Sequence, residues 1–387
     1  RGPRRPACER GGGVIDFTVT DEQRAVGAEA RAFLAEHFPP ELEEHVYRSG
    51  TSHDLDWSAA LAERGWIAAT WPESAGGSGQ SRVQTAPRDD EFYKADAPTI
   101  ALGTTAMVAQ LIHAVGTPEQ QHLVEQATRG EIVIVLGFTE PESGSDVAAA
   151  QTRAVRDGDE WVVNGSKMFT TNAHVGDYVF LLARTNPEAA KHRGLTTFVV
   201  PLDQPGIEVQ AVYTLSGERT NIVYFNDVRV ADRWRIGDVD GGWKVMLVSL
   251  QSEHSASFHH RLDALIDATE EWADEHPALA DDGALGEALA RTVAEYEVAR
   301  LLGHRADWLA HHGQSAEVEG PMAKLFSSEA LVRATQRMSQ ALGPDAVRSY
   351  FEPTAPINGR VEYLLRYALG TTIYAGTSEV QRGIIAT

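Results

Sequence analysis

The hydrophobic positions of this chain change their spacing twice, and these changes divide the sequence into three parts. In the first part, apolar residues recur at helical spacing over residues 25–34 and again over 56–66. A third apolar stretch, 99–115, stops at Gly116-Thr117-Pro118, where glycine favours the end of one helix and proline the start of the next. The pattern predicts an N-terminal α-helical domain over residues 14–130.

Between residues 131 and 240 the apolar runs become short, alternating and rich in β-branched side chains, which is typical of strands. Asp157-Gly158 lies between two such runs and indicates a tight β-hairpin, and Asn164-Gly165 is interpreted as a second turn. The predicted strands cover residues 152–156, 160–163, 178–184, 196–201, 207–213 and 222–230. Turns rather than helices separate them, so the pattern predicts an antiparallel β domain.

Helical spacing returns at residue 241 and continues to 387, with later helices expected over 323–342 and 361–369. The order helical, β, helical predicts an α+β protein with segregated layers. Residues 1–13 contain four arginines and three consecutive glycines and little apolar content, so we expect a disordered extension there.

Composition narrows the functional classes. The chain has 387 residues, of which 43% are hydrophobic and 23% charged, as in ordinary globular proteins. A net charge of −21 argues against nucleic-acid binding, which needs a basic surface. No apolar run approaches the ~18 residues of a membrane span. Cys8 is the single cysteine, so no intramolecular disulfide can form, and a reducing cytoplasmic location is expected.

Several familiar chemistries find no support. Gly76-Gly77-Ser78-Gly79 follows a helical segment rather than a strand, which argues against a dinucleotide-binding turn. The pairs His259-His260 and His311-His312 are adjacent residues whose rings diverge on a helix, and no carboxylate cluster accompanies them in sequence. We therefore expect solvent-exposed histidines and no metal site. No Gly-x-Ser-x-Gly motif supports a hydrolase.

Two polar segments of the middle region could contact a redox flavin. They are Thr139-Glu140-Pro141-Glu142-Ser143-Gly144-Ser145-Asp146 and the stretch 161–173. A flavin needs hydrogen-bond donors where negative charge accumulates as a hydride arrives, and an apolar wall on one ring face. The suitable groups are the hydroxyls of Thr139, Ser145 and Thr171, the backbone around Gly144, and the ring of Phe169. Composition alone does not distinguish flavin-contacting segments from an ordinary loop and an ordinary hairpin.

In their order and spacing these segments resemble the flavin-contacting segments of the acyl-CoA dehydrogenase family. The resemblance covers nearly the whole chain from Asp16 on. It includes Ala62-Glu63-Arg64-Gly65-Trp66, Asn226-Asp227-Val228-Arg229-Val230 and Gly376-Thr377-Ser378-Glu379-Val380-Gln381-Arg382. It implies FAD as cofactor, a β-barrel-like middle domain, a C-terminal four-helix bundle over 241–387, and a homo- or hetero-oligomer, dimer or tetramer.

The resemblance also implies which residues contact the cofactor. These positions are Phe138, Thr139, Gly144, Ser145, Phe169, Thr171, Gly376, Thr377 and Glu379. Among them, Phe169 would pack on the isoalloxazine and Thr171 would bond near its N5. Thr377 and Glu379 would lie by the ribose, pyrophosphate or adenine.

The position of the catalytic base departs from the commonest family pattern. Where relatives most often have Tyr-Glu-Gly-Thr-Ser, this chain has Tyr374-Ala375-Gly376-Thr377-Ser378. Other members place the glutamate in Leu-x-x-Glu-Arg, and here that stretch reads Leu250-Gln251-Ser252-Glu253-His254. Because an α-proton is weakly acidic, its base must be a carboxylate of raised pKa. Glu253 is the candidate base; the alternative is a charged residue on a solvated helix face.

The implied reaction is FAD-dependent α,β-dehydrogenation of an acyl thioester, carried on coenzyme A or an acyl-carrier protein, with electrons passing to an electron-transfer flavoprotein. Two alternatives remain. The chain could be a non-catalytic partner subunit of a heterotetramer, since residues 298–313 lack the Arg-x-x-Phe-Gly that binds a neighbour's FAD in many relatives. It could also be a flavin oxidase or monooxygenase on the same fold.

Overall fold

The first third of the chain is helical. The structure, a computed structural model, describes residues 18–253, 257–277 and 283–387, and the side chains of 248–253 are not described. Six helices come first: α1 Asp21–His37, α2 Pro40–Ser49, α3 Leu55–Glu63, α4 Arg82–Lys94, α5 Ile100–Val115 and α6 Gln121–Thr128. Helix α1 begins with a capping box, in which Thr20 and Gln23 exchange side-chain to backbone hydrogen bonds of 3.1 and 2.9 Å.

Aromatic side chains form the core of this helical region. Phe33, Trp57 and Phe92 are buried and pack mainly edge to face, with Phe33 and Trp57 centroids 5.3 Å apart. Helix α5 is apolar on nearly all sides, and its Val108 and Ile112 belong to the same buried cluster as the first strand. The helical region and the sheet that follows therefore share a core.

Eight strands form one twisted sheet. They are β1 Ile134–Gly137, β2 Arg153–Asp157, β3 Glu160–Lys167, β4 Tyr178–Arg184, β5 Leu195–Pro201, β6 Ile207–Tyr213, β7 Arg219–Ala231 and β8 Arg235–Ile236. The order is β6-β7-β3-β2-β4-β5-β8, with β1 beside β4. Most ladders are antiparallel, as predicted, and the hairpin at Asp157-Gly158 is confirmed. The pairings of β4 with β1 and β2 are parallel.

The prediction of a turn at Asn164-Gly165 is wrong. Both residues lie inside β3, and the register against β7 shifts between Val163 and Gly165, which is a β-bulge. Gly165 has a φ of +146°, and a Cβ there would lie 2.6 Å from Thr152 Oγ1. Glycine thus lets β3 pass close to Thr152, while the extra residue of the bulge lies on β7, where Asn226 and Asp227 stand opposite the single residue Asn164.

The remaining chain is a helical bundle. Its helices are α7 Gly242–Glu253, α8 His259–Glu275, α9 Gly283–His311, α10 Glu319–Leu342, α11 Arg360–Thr371 and α12 Ser378–Ala386. Leu262, Leu331 and Leu364 lie fully buried where α8, α10 and α11 meet. The α+β class with separate helical and β layers is confirmed. Among the described residues, no helix is both long enough and apolar enough to cross a bilayer.

Ion pairs join the N-terminal helices to the bundle. Lys94 Nζ on α4 lies 2.7 Å from Asp263 and 2.5 Å from Asp267, both on α8. Arg360 at the start of α11 lies 2.9 Å from Asp96, just beyond α4. These contacts fix α4 against the bundle, at the place where α8 begins.

Candidate functional site

A buried ion pair anchors the segment 139–146, which we call the polar loop. Lys167 at the end of β3 is fully buried, and its Nζ donates to Glu140 Oε1 at 2.7 Å and to the Phe138 carbonyl at 3.2 Å. The Glu140 carboxylate also accepts the backbone N–H groups of Gln151 and Thr152, at 2.6 and 2.9 Å. Three hydrogen bonds at Glu140 and one at the preceding Phe138 therefore tie the start of the polar loop to β3 and to the residues just before β2.

The same contacts set the protonation of the pair. Burial acts to raise the pKa of Glu140, but Lys167 and the two N–H groups outweigh it, so the pKa lies below its usual value. Burial lowers the pKa of the Lys167 ammonium to about 8. At neutral pH the pair is an ammonium beside a carboxylate, both buried.

Past this anchor, the polar loop is open. The backbone groups of Glu140 and Ser143 bond each other at 3.0 and 3.1 Å and close a tight turn. Gly144 and Ser145 beyond it are exposed, and a Cβ added at Gly144 would meet nothing within 4 Å. Thr139, at the start of the loop, is bonded to the segment after β3, because its carbonyl accepts the Met168 N–H at 2.8 Å. The structure thus brings the polar loop beside the segment that follows β3.

The second segment, residues 168–173, has an unusual backbone conformation. Phe169 and Asn172 have φ of +56° and +62°, in the left-handed region that costs a non-glycine residue about 1–3 kcal/mol. The Phe169 ring is 55% exposed, although it is large and apolar. Asn172 is buried, and neither atom of its amide has a hydrogen-bond partner among the described residues. Strain, an exposed ring and an unsatisfied amide in one short segment indicate a binding site.

Neighbouring strand β7 fixes this segment. The buried Asn221 side chain donates to the Thr170 carbonyl at 3.0 Å, and the backbone carbonyl of Asn221 accepts the Thr170 N–H at 2.9 Å. Thr171 Oγ1 lies 3.3 Å from Thr220 Oγ1. Phe138 differs from the other predicted contacts, since its ring is buried against Phe180 at 5.6 Å. Its side chain belongs to the core.

The C-terminal residues of the predicted site form a second group, the 374–377 loop. Ala375 and Gly376 have φ of +52° and +82°. Gln381 Nε2 donates to the Ala375 carbonyl at 2.8 Å, and the buried Lys324 Nζ donates to the Gly376 carbonyl at 2.6 Å. Thr377 then caps α12 by accepting the Val380 N–H at 3.2 Å.

The described hydrogen bonds do not join this second group directly to the polar loop. Glu379 is exposed in the first turn of α12. An indirect link runs along the β6–β7 connection. Thr220 meets Thr171 on one side, and the Leu215 carbonyl accepts from Arg366 on α11 at 2.9 Å on the other.

Glu253 is the last residue of α7, and its side chain lies outside the described part of the chain. Five residues later, the Phe258 ring meets Tyr374 edge to face, with centroids 6.0 Å apart. The residue that precedes α8 is therefore a neighbour of the 374–377 loop.

Four residues that hold these segments, Glu140, Lys167, Asn221 and Lys324, were not singled out from sequence. Lys167 carried a usable signal, because it falls on the inward face of β3 with Trp161 and Val163. A lysine at an inward strand position must have a buried partner. Lys324 and Asn221 lie among ordinary polar residues and carried no such signal.

The interpretation of His259 and His260 as solvent-exposed is wrong. Each is only 8% exposed, and Asp90 of α4 places Oδ1 3.2 Å from His259 Nε2. The carboxylate comes from a helix 169 residues earlier, so its proximity could not be read from the local sequence. His311 and His312 are exposed, as predicted.

Known proteins match this chain over nearly its whole length. Three family models match in succession: "Acyl-CoA dehydrogenase, N-terminal domain" over residues 20–131, its "middle domain" over 135–228 and its "C-terminal domain" over 240–387. "Acyl-CoA dehydrogenase FadE26" of Mycobacterium tuberculosis is 34% identical, over 95% of this chain and 96% of its own length. "Probable acyl-CoA dehydrogenase YngJ" of Bacillus subtilis is 31% identical, over 96% and 99%.

Solved structures show the same likeness. A structure titled "Tcur3481-Tcur3483 steroid ACAD" superposes with a TM-score of 0.90 at 29% identity, covering 96% of this chain and 98% of that one. The "ChsE4-ChsE5 complex from Mycobacterium tuberculosis" superposes with a TM-score of 0.86 at 32% identity, with coverage of 96% and 98%. Both titles name two proteins.

Proposed function

This chain belongs to the acyl-CoA dehydrogenase family of flavoprotein oxidoreductases, and we propose that it binds FAD and oxidises an acyl thioester to the α,β-unsaturated product. The observation that carries the proposal is the segment 168–173, which holds Phe169 exposed on a left-handed backbone beside the polar loop. When bound, FAD would supply the acceptor for the hydride that leaves the β-carbon as the α-proton is removed.

The residues present fit a flavin. The exposed Phe169 ring offers an apolar face, and the Thr171 hydroxyl offers a donor beside it. The Asn172 amide, which has no partner among the described residues, and the exposed backbone at Gly144 and Ser145 add polar groups. An isoalloxazine, with a flat apolar surface and a polar edge, matches this combination. Phe169 would exclude water from one ring face, and Thr171 would stabilise negative charge at the edge.

We place the catalytic base at Glu253. The methyl group of Ala375 cannot accept a proton, and Phe258, five residues after Glu253, contacts Tyr374 of the 374–377 loop. A carboxylate at the end of α7 can therefore approach the region that a base at position 375 would serve. In the reaction Glu253 takes the α-proton, the β-hydrogen leaves with its electron pair, and a carbon–carbon double bond forms.

The first experiment measures FAD stoichiometry of the purified protein and its anaerobic bleaching by acyl thioesters. The panel contains coenzyme A and carrier-protein thioesters, including a polycyclic acyl group because one structural neighbour is titled a steroid enzyme. Glu253→Gln should keep its FAD and lose about 10²–10⁴-fold in the bleaching rate, the usual contribution of a general base. Glu270→Gln, an exposed glutamate of α8, is the matched control. Unchanged bleaching in Glu253→Gln would exclude it as the base.

A partner subunit is the second candidate function, favoured by Ala375 and by the two-protein titles of the structural neighbours. It predicts a folded protein that does not bleach with any thioester alone and gains activity only with a second chain. We infer that a catalytic chain would pass electrons to an electron-transfer flavoprotein. Rapid reoxidation by O₂ during turnover would instead indicate an oxidase or monooxygenase.

A further inference from the structure

A cluster of three metal-ligating side chains lies where α4 meets the bundle, outside the residues assigned to the flavin. It comprises Asp90 of α4, His259 at the start of α8 and His304 of α9. One ligand atom from each lies within 4.8 Å of the other two. His259 is buried, and Asp90 and His304 are half-buried.

The contacts of His259 leave one ring nitrogen unsatisfied. Its Nδ1 lies 3.0 Å from Ser257 Oγ, and its Nε2 faces Asp90 Oδ1 at 3.2 Å. In spite of that distance, Nε2 is a buried atom with no hydrogen-bond partner among the described residues. With the proton on Nδ1, a nitrogen lone pair faces a carboxylate oxygen; with the proton on Nε2, the alignment for a hydrogen bond is missing. Either tautomer leaves the pair poorly satisfied.

The spacing fits two ligands of one cation. Tetrahedral zinc binds imidazole nitrogen and carboxylate oxygen at about 2.0–2.2 Å, which places two such ligands about 3.3–3.5 Å apart. The 3.2 Å between His259 Nε2 and Asp90 Oδ1 is close to this separation. The Ser257 contact would act as the outer hydrogen bond that commonly orients a ligating imidazole.

We propose that Asp90, His259 and His304 bind a divalent transition-metal cation, Zn²⁺ by the chemistry of the set, with water in the fourth position. Two histidines and one carboxylate are a known ligand combination for zinc. The ring centroids of His304 and His259 lie 6.2 Å apart. On metal binding, the His304 side chain would move toward the other two ligands and complete the site.

The site would act as a clamp between the N-terminal helices and the bundle. Asp90 and Lys94 are four residues apart on one face of α4, and His259 and Asp263 are four apart on α8. The Lys94–Asp263 ion pair already joins the two helices one turn further along. A metal at Asp90 and His259 would add a second junction next to Phe258 and the 374–377 loop.

The test is a metal titration of the full chain, with its affinity tag removed and bound metal stripped by chelation. Co²⁺ should bind at one equivalent and give the visible absorption of a tetrahedral site, and Zn²⁺ should displace it. Asp90→Asn and His304→Gln should each weaken Zn²⁺ at least about tenfold. Zn²⁺ should raise the melting temperature of the wild type and of neither variant.

His312→Gln is the matched control, because His312 lies just beyond the end of α9, eight residues after His304, and is exposed against Trp308. It should bind Zn²⁺ as the wild type does. Absence of a one-equivalent site in the wild type would overturn the proposal. Binding that survives in both Asp90→Asn and His304→Gln would overturn it as well. Circular dichroism and thermal melting in EDTA show whether a variant is folded. If one of the two variants is misfolded, the titrations of the wild type and of the folded variant test the proposal.

Discussion

Replacing Lys167 by methionine tests whether the buried ion pair holds the polar loop. The side chains of Lys167 and Glu140 are 0% and 6% exposed, so solvent does not screen their interaction. Removing one partner of such a pair costs about 3–5 kcal/mol, because the other charge stays buried without compensation. Glu140 keeps its bonds from Gln151 and Thr152, so we expect about 3 kcal/mol.

Urea unfolding followed by circular dichroism measures this loss, and hydrogen exchange of the 139–146 amides locates it. Lys191→Met is the matched control, since Lys191 pairs with Asp146 of the same loop, with side chains 50% and 54% exposed. A surface pair contributes about 0–1 kcal/mol. Equal loss of stability in the two variants would refute the reasoning. In a double-mutant cycle with Glu140→Gln, the coupling energy should exceed about 1 kcal/mol.

Two further predictions concern a strand and a histidine. Gly165→Ala should destabilise the protein by at least about 1 kcal/mol, because its methyl group would contact the Thr152 backbone. Gly286→Ala in α9, where nothing lies within 4 Å, should instead stabilise by about 0.5–1 kcal/mol, and equal melting shifts would contradict the close approach of Gly165 to Thr152. Burial lowers the pKa of His260 to about 3, so the unfolded chain binds the proton first as pH falls. Stability from this group is complete above about pH 6.5 and falls toward pH 3, by up to about 1.4 kcal/mol per unit; His260→Gln should flatten that slope in pH-dependent urea melts, and an unchanged slope would exclude His260.

The helices and strands were predictable because local spacing determines which side chains face a core. The strand 178–184 is the clearest case, since the prediction and the structure give the same bounds. Gly165 shows the limit of such signals. A glycine after asparagine suits a turn and also a strand that passes close to a neighbouring segment, and only the pairing of β3 with β7 distinguishes the two.

Parts of the site depend on contacts between distant segments, which no local pattern contains. The motif residues Thr139 and Thr171 were recognisable, but the ion pair that holds the polar loop joins Glu140 to Lys167 across β2 and β3. Asp90 and His259 meet only because α4 packs on α8. Such pairs follow from the fold, so they become visible only with the structure.

The 374–377 loop is shaped by contacts to its backbone. Lys324 and Gln381 bind the carbonyl oxygens of Gly376 and Ala375, and neither contact involves the side chain at position 375. The loop can therefore keep its form while that side chain changes between descendants of one ancestor. A lineage could lose a carboxylate here, or regain it by one substitution, without rebuilding the loop. Such freedom would let the base move between helices during evolution while the surrounding fold persists.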